Sequence, residues 1–359
     1  MAKEENKLDK VRTRFAPSPS GYLHIGSART ALFNYLFAKQ KQGTFILRIE
    51  DTNKETSKKE YQDDIIDSLK WLGINWDEGP EIDGPYEPYN QSERFSIYQK
   101  YLEKILKEEQ AYYCFCLPEE LEAQNQYLLS IGQTPKYSGK CADLSGVDVK
   151  KNLSENKQCA IRFKVRPKKI KFTDLVRGEL EFDTELMGDF VIAKNGLNNP
   201  LYNFSVTIDD FEMKISHVIR GEDLLSNTPK QMLIQEFFGF PNLEYAHLPL
   251  ILGPDRSKLS KRKEAQPISE FKREGYLPEA LINFTAFLGW NPGDEREIYS
   301  LSSLVKDFSI ERIQKGGAVF NSKRLEFLNG FYIRHRSVEK LTEFCIPYLI
   351  KAGLIEEIT

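Results

Sequence analysis

The chain has 359 residues, 40% of them hydrophobic, and a formal net charge of −3, which is typical of a globular protein of two or three domains. Its charged start excludes a secretory signal peptide, and its apolar runs are too short to span a membrane. The chain has five cysteines, and this odd number argues against a disulfide framework. We therefore expect a cytoplasmic protein with no membrane partner, in which any nucleic-acid-binding surface is a local patch.

The first predicted unit is a strand, a turn and the start of a helix over residues 13–40. A Pro/Ser/Gly turn follows the short strand, and apolar residues recur at helical spacing from about Ser27. Such a helix N-terminus offers backbone N–H groups and a positive dipole end to a phosphate. Gly21 and Gly26 allow close approach of a ligand, and His24 can donate to a phosphate oxygen. A loop that only closes a βα unit is an equally open interpretation.

The following segments predict a further βα unit. TFILRIED, residues 44–51, predicts a strand with Glu50 and Asp51 at its carboxyl end, the edge at which open parallel sheets bind ligands. Two acidic residues at a strand end can equally be only solvated. Helical periodicity predicts helices over 58–72 and 94–109.

Three cysteines lie close together in the next part of the sequence. Cys114 and Cys116 form a C-x-C pair, and Cys141 follows a helix-like segment. Three thiols and one further ligand suit a structural Zn²⁺ site, for which Tyr137 or Asp143 offers the fourth ligand. Three buried free thiols are the alternative.

The middle of the chain is rich in strand-like segments. A basic run over 164–171 is either a solvated face or a ridge that contacts phosphates, and the sequence leaves both open. The periodicity predicts further strands and one helix, namely strands over 199–210, 217–225 and 247–252 and a helix over 228–238.

A cationic loop follows the last predicted strand. GPDRSKLSKRK, residues 253–263, places Lys258, Lys261 and Arg262 close together. Such a loop is suited to holding the polyphosphate of a nucleotide while negative charge develops. Beyond residue 264 the pattern is helical.

Two of these stretches together resemble the signature motifs of the class I aminoacyl-tRNA synthetases, TRFAPSPSGYLHIG at the first turn and KLSKR after the last strand. Other strings, in family order, resemble the bacterial glutamyl-tRNA synthetases: RIEDT, WLGINWDEGP, YNQSERFSIYQKY, GDFVI, IRGEDLLSNTPKQ and GYLPEALINF. The resemblance implies an α/β fold, with a Rossmann-type parallel sheet, an α+β insertion domain and a C-terminal helical region.

The resemblance also implies a domain order. It comprises a first catalytic half (1–91), an acceptor-binding insertion with the possible zinc site (92–203), a second catalytic half (204–258), a helical stem-contact domain with the KLSKR loop (259–337) and the start of an anticodon-binding domain (338–359). Because family members continue through a helical anticodon-binding region, we expect a C-terminally truncated member, and a monomer.

The implied reaction joins L-glutamate to ATP, which releases pyrophosphate, and then passes the glutamyl group to the 3′-terminal adenosine of tRNA(Glu). The protein must align the carboxylate with the α-phosphorus and stabilise transition-state charge. The implied catalytic residues are His24, Lys258 and Lys261, and Mg²⁺ accompanies ATP. The implied ATP site comprises His24, Gly26, Lys258, Leu259, Ser260, Lys261 and Arg262.

The implied glutamate pocket comprises Arg14, Ala16, Ser18, Glu50, Tyr202 and Arg220. We expect Arg14 to bind the side-chain carboxylate, since arginine offers a planar bidentate donor, and Glu50 to bind the α-ammonium group. Neutral glutamine would then leave Arg14 without a counter-charge. The zinc site of some members resembles Cys114, Cys116, Tyr137 and Cys141, although Asp143 stands where other members have histidine.

The first motif ends in Ser27 rather than a second histidine, which implies a weaker phosphate contact there. Three other functions stay open: glutamyl transfer to a modified tRNA base by a synthetase-like relative, a glutaminyl-tRNA synthetase, and a non-catalytic RNA-binding module. The region beyond KLSKR opposes the first, the glutamyl-type strings oppose the second, and His24 and Lys261 oppose the third.

Overall fold

The computed structural model describes residues 10–257, 259 and 266–356. Its strands are β1 (Arg12–Phe15), β2 (Thr44–Leu47), β3 (Ala111–Cys114), β4 (Ala160–Phe163), β5 (Lys169–Asp174), β6 (Gly178–Asp183), β7 (Phe190–Lys194), β8 (Asn199–Pro200), β9 (His217–Gly221), β10 (Glu244–Leu248), β11 (Ile251–Leu252) and β12 (Ala318–Val319). Its helices are α1 (Ile25–Gln40), α2 (Lys59–Trp71), α3 (Phe95–Lys107), α4 (Pro118–Ser130), α5 (Gly146–Ser154), α6 (Tyr202–Glu212), α7 (Thr228–Phe238), α8 (Ile268–Arg273), α9 (Pro278–Ala286), α10 (Leu301–Asp307), α11 (Ser322–Arg334) and α12 (Val338–Lys351).

The central sheet is mainly parallel, as the α/β prediction requires. β1 pairs with β2 and β9 with β10, both in parallel, and β10 also pairs in parallel with β5, whose other neighbour is the antiparallel β6. A backbone hydrogen bond of 3.0 Å from Ser216 N to Arg12 O joins the start of β9 to β1. The carboxyl ends of β1, β2 and β9 therefore lie at one edge of the sheet, the edge at which such sheets bind ligands.

Two hydrophobic cores hold this arrangement together. The larger core packs α1 and α2 against the sheet and extends into α8–α11, through side chains such as Phe33, Leu69 and Leu281. The second core joins α3, α6 and α7 to the antiparallel sheet β3-β4-β7-β8. Burial of these apolar faces is the main favourable term for the fold. The four boundaries between the five domains given above stay predictions.

One predicted strand is wrong. Residues 199–210 alternate in polarity, but from Tyr202 onward they form helix α6. Phe204 and Ile208, four residues apart, belong to the second core, and the polar Asp209 and Asp210 are also buried. Arginine partners allow the carboxylates of this helix to be buried, so the helix is buried on several faces. Its sequence therefore lacks the polar face and apolar face of an amphipathic helix.

Three smaller expectations also change. The strand predicted over 44–51 ends at Leu47, because the following backbone instead bonds to the 15–17 segment and to Tyr89. The strand predicted over 247–252 is divided at Pro249 into β10 and β11, since proline lacks the N–H that a ladder needs. The region predicted to be helical contains β12, which pairs with β11. The helices predicted over 58–72, 94–109 and 228–238 are confirmed.

The basic run over 164–171 is engaged with carboxylates. Lys168 forms an ion pair with Glu236 of α7, and Lys169 and Lys171 approach Glu181 of β6 at 2.7 and 2.8 Å. These pairings favour the interpretation of a solvated face. Over the described residues, no helix has the length and apolar character needed to cross a membrane.

Candidate active site

The N-terminus of α1 is closed by a histidine rather than by the usual hydroxyl or carboxylate. His24 is the N-cap residue, and its Nδ1 accepts hydrogen bonds from Gly26 N at 3.1 Å and Ser27 N at 3.4 Å. Because Nδ1 accepts, a neutral ring carries its proton on Nε2, which lies 3.1 Å from Ser27 Oγ. Partial desolvation lowers the pKa of His24, and the carboxylate of Asp223 opposes this effect. A neutral Nε2–H donor therefore stands at the positive end of a helix.

The loop between β1 and α1 is tied to the end of β2. The carbonyl of Pro17 accepts from Glu50 N at 2.9 Å, and the carbonyl of Pro19 accepts from Lys58 N at 3.0 Å. Ala16 is half-buried and Ser18 is exposed on this loop. The two predicted loop residues therefore flank Pro17, whose carbonyl bonds to Glu50.

A buried cluster of charges lies behind the loop. Arg14 donates to Asp210 through Nε at 3.0 Å and Nη2 at 3.3 Å. Arg48 bridges two carboxylates, since its Nη1 lies 2.8 Å from Asp210 Oδ1 and its Nη2 lies 3.0 Å from Glu50 Oε1. Asp209 extends the cluster through an Arg94 Nε contact of 2.7 Å. The carboxylates and guanidinium groups are interleaved, so each charge has opposite charges beside it.

These pairings determine the ionisation of the carboxylates. Burial alone would raise the pKa of Asp210, but Arg14 and Arg48 prevail and lower it. Burial raises the pKa of Glu50, with Arg48 and Arg14 in opposition. Asp210 is therefore a firm anion that neutralises Arg14. The counter-charge argument above is wrong at Arg14, because Asp210 supplies the counter-charge whatever ligand is present.

Sequence reasoning missed the residues that hold this cluster. Arg48, Arg94, Asp209 and Asp210 are all buried, yet none was singled out. The available signal was the charged residues inside otherwise apolar segments, since a buried charge requires a partner.

Arg220, on β9, has a different environment. Its side chain is 4% exposed, and its Nη2 donates to Thr228 Oγ1 at 2.8 Å while its Nη1 lies 3.5 Å from the hydroxyl of Tyr202. The Tyr245 ring lies 5.8 Å from the guanidinium carbon. Within residues 10–257, 259 and 266–356, no ion pair of Arg220 with a carboxylate is found. Because a buried charge requires a partner, a guanidinium whose described partners are neutral is suited to binding an anion.

The four main residues of the predicted glutamate pocket converge. Burial raises the pKa of Tyr202, and the charges of Arg220, Glu50 and Arg14 all act on its hydroxyl. Tyr202 is the first residue of α6, so this helix carries both the pocket hydroxyl and the carboxylate that anchors Arg14. The site presents two guanidinium groups and two carboxylates around a tyrosine, and one of these carboxylates, Asp210, pairs with Arg14. Arg220 is left to bind a carboxylate of an amino acid.

The three clustered cysteines meet in the insertion. The sulfur atoms of Cys114, Cys116 and Cys141 lie within 4.8 Å of one another. The hydroxyl of Tyr137 lies 3.4 Å from the Cys114 sulfur and 3.3 Å from the Cys116 sulfur. Asp143 is not in this group among the described residues. The donor set and its close spacing fit a four-coordinate metal with Tyr137 as the oxygen neighbour.

The environment also prepares one thiol for ionisation. Although burial opposes it, hydrogen bonding with Tyr137 and Arg162 lowers the pKa of Cys114. Burial raises the pKa of Cys116 to about 11. The guanidinium of Arg162 lies 3.8 Å above the centre of the Tyr137 ring, so the cluster has a cation beside its oxygen donor.

Part of the predicted ATP site lies outside the described residues, namely Lys258, Ser260, Lys261 and Arg262. Leu259 is described, and its N–H donates to Ile251 O at 3.0 Å. On the other side of the loop, Ile268 N donates to Leu23 O at 2.7 Å, next to His24. Ile268 therefore lies beside the first motif.

Comparison with known proteins agrees with this architecture. The family "tRNA synthetases class I (E and Q), catalytic domain" matches residues 10–327. Glutamate–tRNA ligase 1 of Caldicellulosiruptor saccharolyticus is 52% identical over 350 residues, which cover 97% of this chain and 72% of that protein. Glutamate–tRNA ligase of Aquifex aeolicus is 50% identical over 349 residues, with 96% and 72% covered.

A solved structure shares the fold over nearly the whole chain. The crystal structure of a glutamate tRNA ligase from Elizabethkingia meningosepticum, in complex with its amino acid, gives a TM-score of 0.89 at 38% identity and covers 98% of this chain and 74% of that chain. The chain is therefore a class I tRNA synthetase of the group for glutamate and glutamine, a class that uses ATP and Mg²⁺. Within that group it belongs to the glutamate–tRNA ligase family.

Proposed function

We propose that this protein activates L-glutamate with ATP to glutamyl-adenylate, with release of pyrophosphate, and transfers the glutamyl group to the 3′-terminal adenosine of tRNA(Glu). The observation that carries the proposal is Arg220, a buried cation whose described partners are all neutral, in a pocket with Arg14, Glu50 and Tyr202. A dicarboxylic amino acid supplies the missing anion, and its second carboxylate remains for activation.

The pocket residues take separate roles. Arg220 binds a substrate carboxylate, because its own charge has no carboxylate beside it in the described structure. Arg14 contributes its remaining N–H groups, since Asp210 uses only two of its five donors. Glu50 accepts from the α-ammonium group, and Tyr202 donates to a carboxylate oxygen. Ala16 and Ser18 line the loop over the amino acid. Glutamine is rejected because it would leave Arg220 unneutralised.

The nucleotide lies at the N-terminus of α1. His24 donates from Nε2 to a phosphate oxygen, and the Gly26 N–H lies in the same helix terminus. We assign Lys258 and Lys261, with the neighbouring Leu259, Ser260 and Arg262, to the rest of the ATP site. Mg²⁺ would neutralise phosphate charge. No covalent nucleophile is required, since alignment and electrostatic stabilisation are sufficient for this reaction.

Zinc is proposed as a structural ion of the insertion. Cys114, Cys116 and Cys141 would hold it as thiolates, and the close hydroxyl favours Tyr137 over Asp143 as the fourth ligand. The ion would link the end of β3 to the segment after α4 and so order the surface that is proposed to meet the tRNA acceptor end. We further propose a monomer that acts in the cytoplasm.

ATP–pyrophosphate exchange tests the main proposal. It is measured with glutamate, glutamine and aspartate, each with and without total tRNA. We expect exchange only with glutamate and only when tRNA is present, as the resemblance to this family implies. Exchange with glutamate in the absence of tRNA would favour the relative that modifies a tRNA base. Glutamate binding without any exchange would favour a protein that binds its ligand but does not activate it.

Lys261→Ala separates catalysis from binding. We expect this variant to lose exchange and to bind glutamate with unchanged affinity in calorimetry, because the lysine is assigned to phosphates only. Lys171→Ala is the matched control, since that cation pairs with Glu181 on an exposed hairpin. Loss of glutamate binding in Lys261→Ala would show that the assignment is wrong.

A further inference from the structure

Arg220 is held by a second layer of buried residues that the reaction does not use directly. Its Nε donates to Nε2 of His247 at 3.1 Å, and Nδ1 of His247 lies 2.6 Å from Oδ2 of Asp174. His247 is 0% and Asp174 is 1% exposed. The three residues form a line from the β5–β6 hairpin, through β10, to the guanidinium on β9.

The geometry fixes where the imidazole proton lies. An arginine Nε always carries a hydrogen, so the atom that faces it must present a lone pair. Thr228 Oγ1 also lies 3.1 Å from Nε2, and because this hydroxyl already accepts from Arg220 Nη2, its own hydrogen is available to Nε2. Nε2 of His247 is therefore unprotonated, and the single ring proton lies on Nδ1, where it donates to Asp174. An imidazolium or the other tautomer would place two N–H groups head to head at 3.1 Å.

The surrounding charges favour this neutral state. Burial lowers the pKa of His247, and the cations Arg220 and Arg177 act in the same direction, against the opposing effect of Asp174. The Nε of Arg177 donates to the His247 carbonyl at 3.3 Å, and the Tyr245 ring lies 6.1 Å from the imidazole centre. The imidazole thus acts as a fixed acceptor rather than as a second cation beside Arg220.

Asp174 is itself fixed by the backbone. Its Oδ1 accepts from Val176 N at 2.9 Å and Arg177 N at 2.8 Å, and both of its oxygens lie 3.2 Å from His247 N. Burial opposes ionisation, but these hydrogen bonds and His247 lower the pKa of Asp174. The carboxylate of Asp174 is therefore fixed in place by backbone N–H groups, and the side chain that it orients is the imidazole of His247.

We propose that Asp174 and His247 are positioning residues for substrate recognition: Asp174 holds His247 in the Nδ1–H tautomer, and His247 then fixes the rotation of Arg220 through Nε. Thr228 fixes Nη2 at 2.8 Å. The remaining N–H groups, on Nη1 and Nη2, are left to meet the carboxylate beside Tyr202. This inference rests on the proposed function, in which Arg220 binds that carboxylate.

Asp174→Asn is the sharpest test, because it keeps the shape and removes the charge. The amide oxygen can still accept from Val176 and Arg177, and the amide N–H then faces Nδ1 of His247. The ring proton moves to Nε2, where it opposes Arg220. We expect glutamate affinity in calorimetry to fall about tenfold or more, the effect of one misdirected charge-assisted hydrogen bond, while KM for ATP changes less than twofold.

Substitution of His247 is an independent test of the same proposal. His247→Gln keeps an acceptor near the Nε2 position, whereas His247→Leu removes it, so we expect the glutamine variant to bind glutamate about tenfold better than the leucine variant. His217→Gln is the matched control, because that histidine lies at the other end of β9 and bonds to Ser216. It should bind glutamate as the unaltered protein does.

Nitrogen-15 NMR of the histidines reads the tautomer without any activity. The chain has four histidines, and His247→Gln identifies the relevant pair of signals. We expect a protonated Nδ1 and an unprotonated Nε2 in the unaltered protein and the reverse in Asp174→Asn.

Two results would overturn the inference: an Nε2–H tautomer or an imidazolium in the unaltered protein, or unchanged glutamate affinity in a folded Asp174→Asn variant. If Asp174→Asn does not fold, equal affinities in the two His247 variants would overturn it. If the unaltered protein binds no glutamate, the proposed function fails, and the NMR result still decides the tautomer.

Discussion

Two buried arginines, Arg48 just beyond β2 and Arg220 on β9, belong to strands on either side of β1 and have different environments. Arg48 is 0% exposed, and its guanidinium contacts Asp210 at 2.8 Å, Glu50 at 3.0 Å and Asp209 at 3.8 Å. Arg220 is 4% exposed, and its partners are a hydroxyl, an imidazole and a phenol. Both guanidinium groups are buried, but among the residues that the structure describes only Arg48 of the two has anions beside it.

This difference in partners distinguishes a structural charge, which stabilises the fold, from a recognition charge, which binds the ligand. A buried ion pair with satisfied hydrogen bonds is costly to break, because the remaining partner keeps its charge without water. A buried cation with neutral partners gains a favourable charge–charge interaction when an anion binds beside it. We infer that the Arg48 cluster maintains the geometry of the pocket and that Arg220 binds the carboxylate of the ligand.

Replacement of Arg48 should have the largest effect on the fold. Arg48→Met keeps much of the side-chain volume and leaves Glu50, Asp209 and Asp210 with one cation fewer. We expect the free energy of unfolding, measured by urea denaturation, to fall by about 3–5 kcal/mol.

The matched control for Arg48 is Lys168→Met, which breaks the ion pair with Glu236, a surface residue. An exposed pair contributes about 0–1 kcal/mol, so the control should remain nearly as stable as the unaltered protein. Equal losses in both variants would remove the distinction between the two environments.

Replacement of Arg220 should change binding much more than stability. Arg220→Met leaves the acceptors of His247 and Thr228 without a donor but leaves no carboxylate unpaired, so we expect the free energy of unfolding to fall by only about 1 kcal/mol. Truncation of one partner of a buried charge pair costs about 2–5 kcal/mol of binding energy, so glutamate affinity in calorimetry should fall about a hundredfold or more. A variant that loses stability and binding together would assign Arg220 to the fold instead.

Only one side of this comparison could be predicted from the sequence. Arg220 and Arg14 were found because they lie in strings that resemble a family, and the strand–turn–helix around His24 follows from local periodicity. The partnership of Arg14 with Asp210, 196 residues apart, depends on the packing of α6 against the sheet. The sequence predicts a strand where α6 lies, because Phe204, Val206 and Ile208 alternate with polar residues that the helix also buries. The local elements can thus be predicted from the sequence, whereas the pairing of charges that are distant in the sequence cannot.

Removal of the Tyr202 hydroxyl should have a smaller effect on the same pocket. Tyr202→Phe keeps the ring and removes one donor, whose contact with Arg220 is long at 3.5 Å. A hydrogen bond to a charged group contributes about 1.5–3 kcal/mol, and water can replace part of it, so we expect glutamate affinity to fall about five- to tenfold with no change in urea denaturation. Affinity as low as that of Arg220→Met would mean that the Tyr202 hydroxyl contributes as much to recognition as the Arg220 guanidinium.

A change in the cysteine cluster should leave both arginines unaffected. Cys114→Ser removes the thiol with the lowered pKa from a set of sulfur atoms within 4.8 Å of one another, so we expect purified protein to lose its bound zinc, measured by elemental analysis. Cys159→Ser, a half-buried cysteine outside the set, is the control and should retain it. The cluster belongs to a separate group of buried residues from those that hold Arg48 and Arg220, so glutamate affinity should change less than twofold in both variants. A larger loss of affinity in Cys114→Ser alone would show that order in the insertion reaches the amino-acid pocket, and the contrast between a structural and a recognition charge would then have to include the insertion as well.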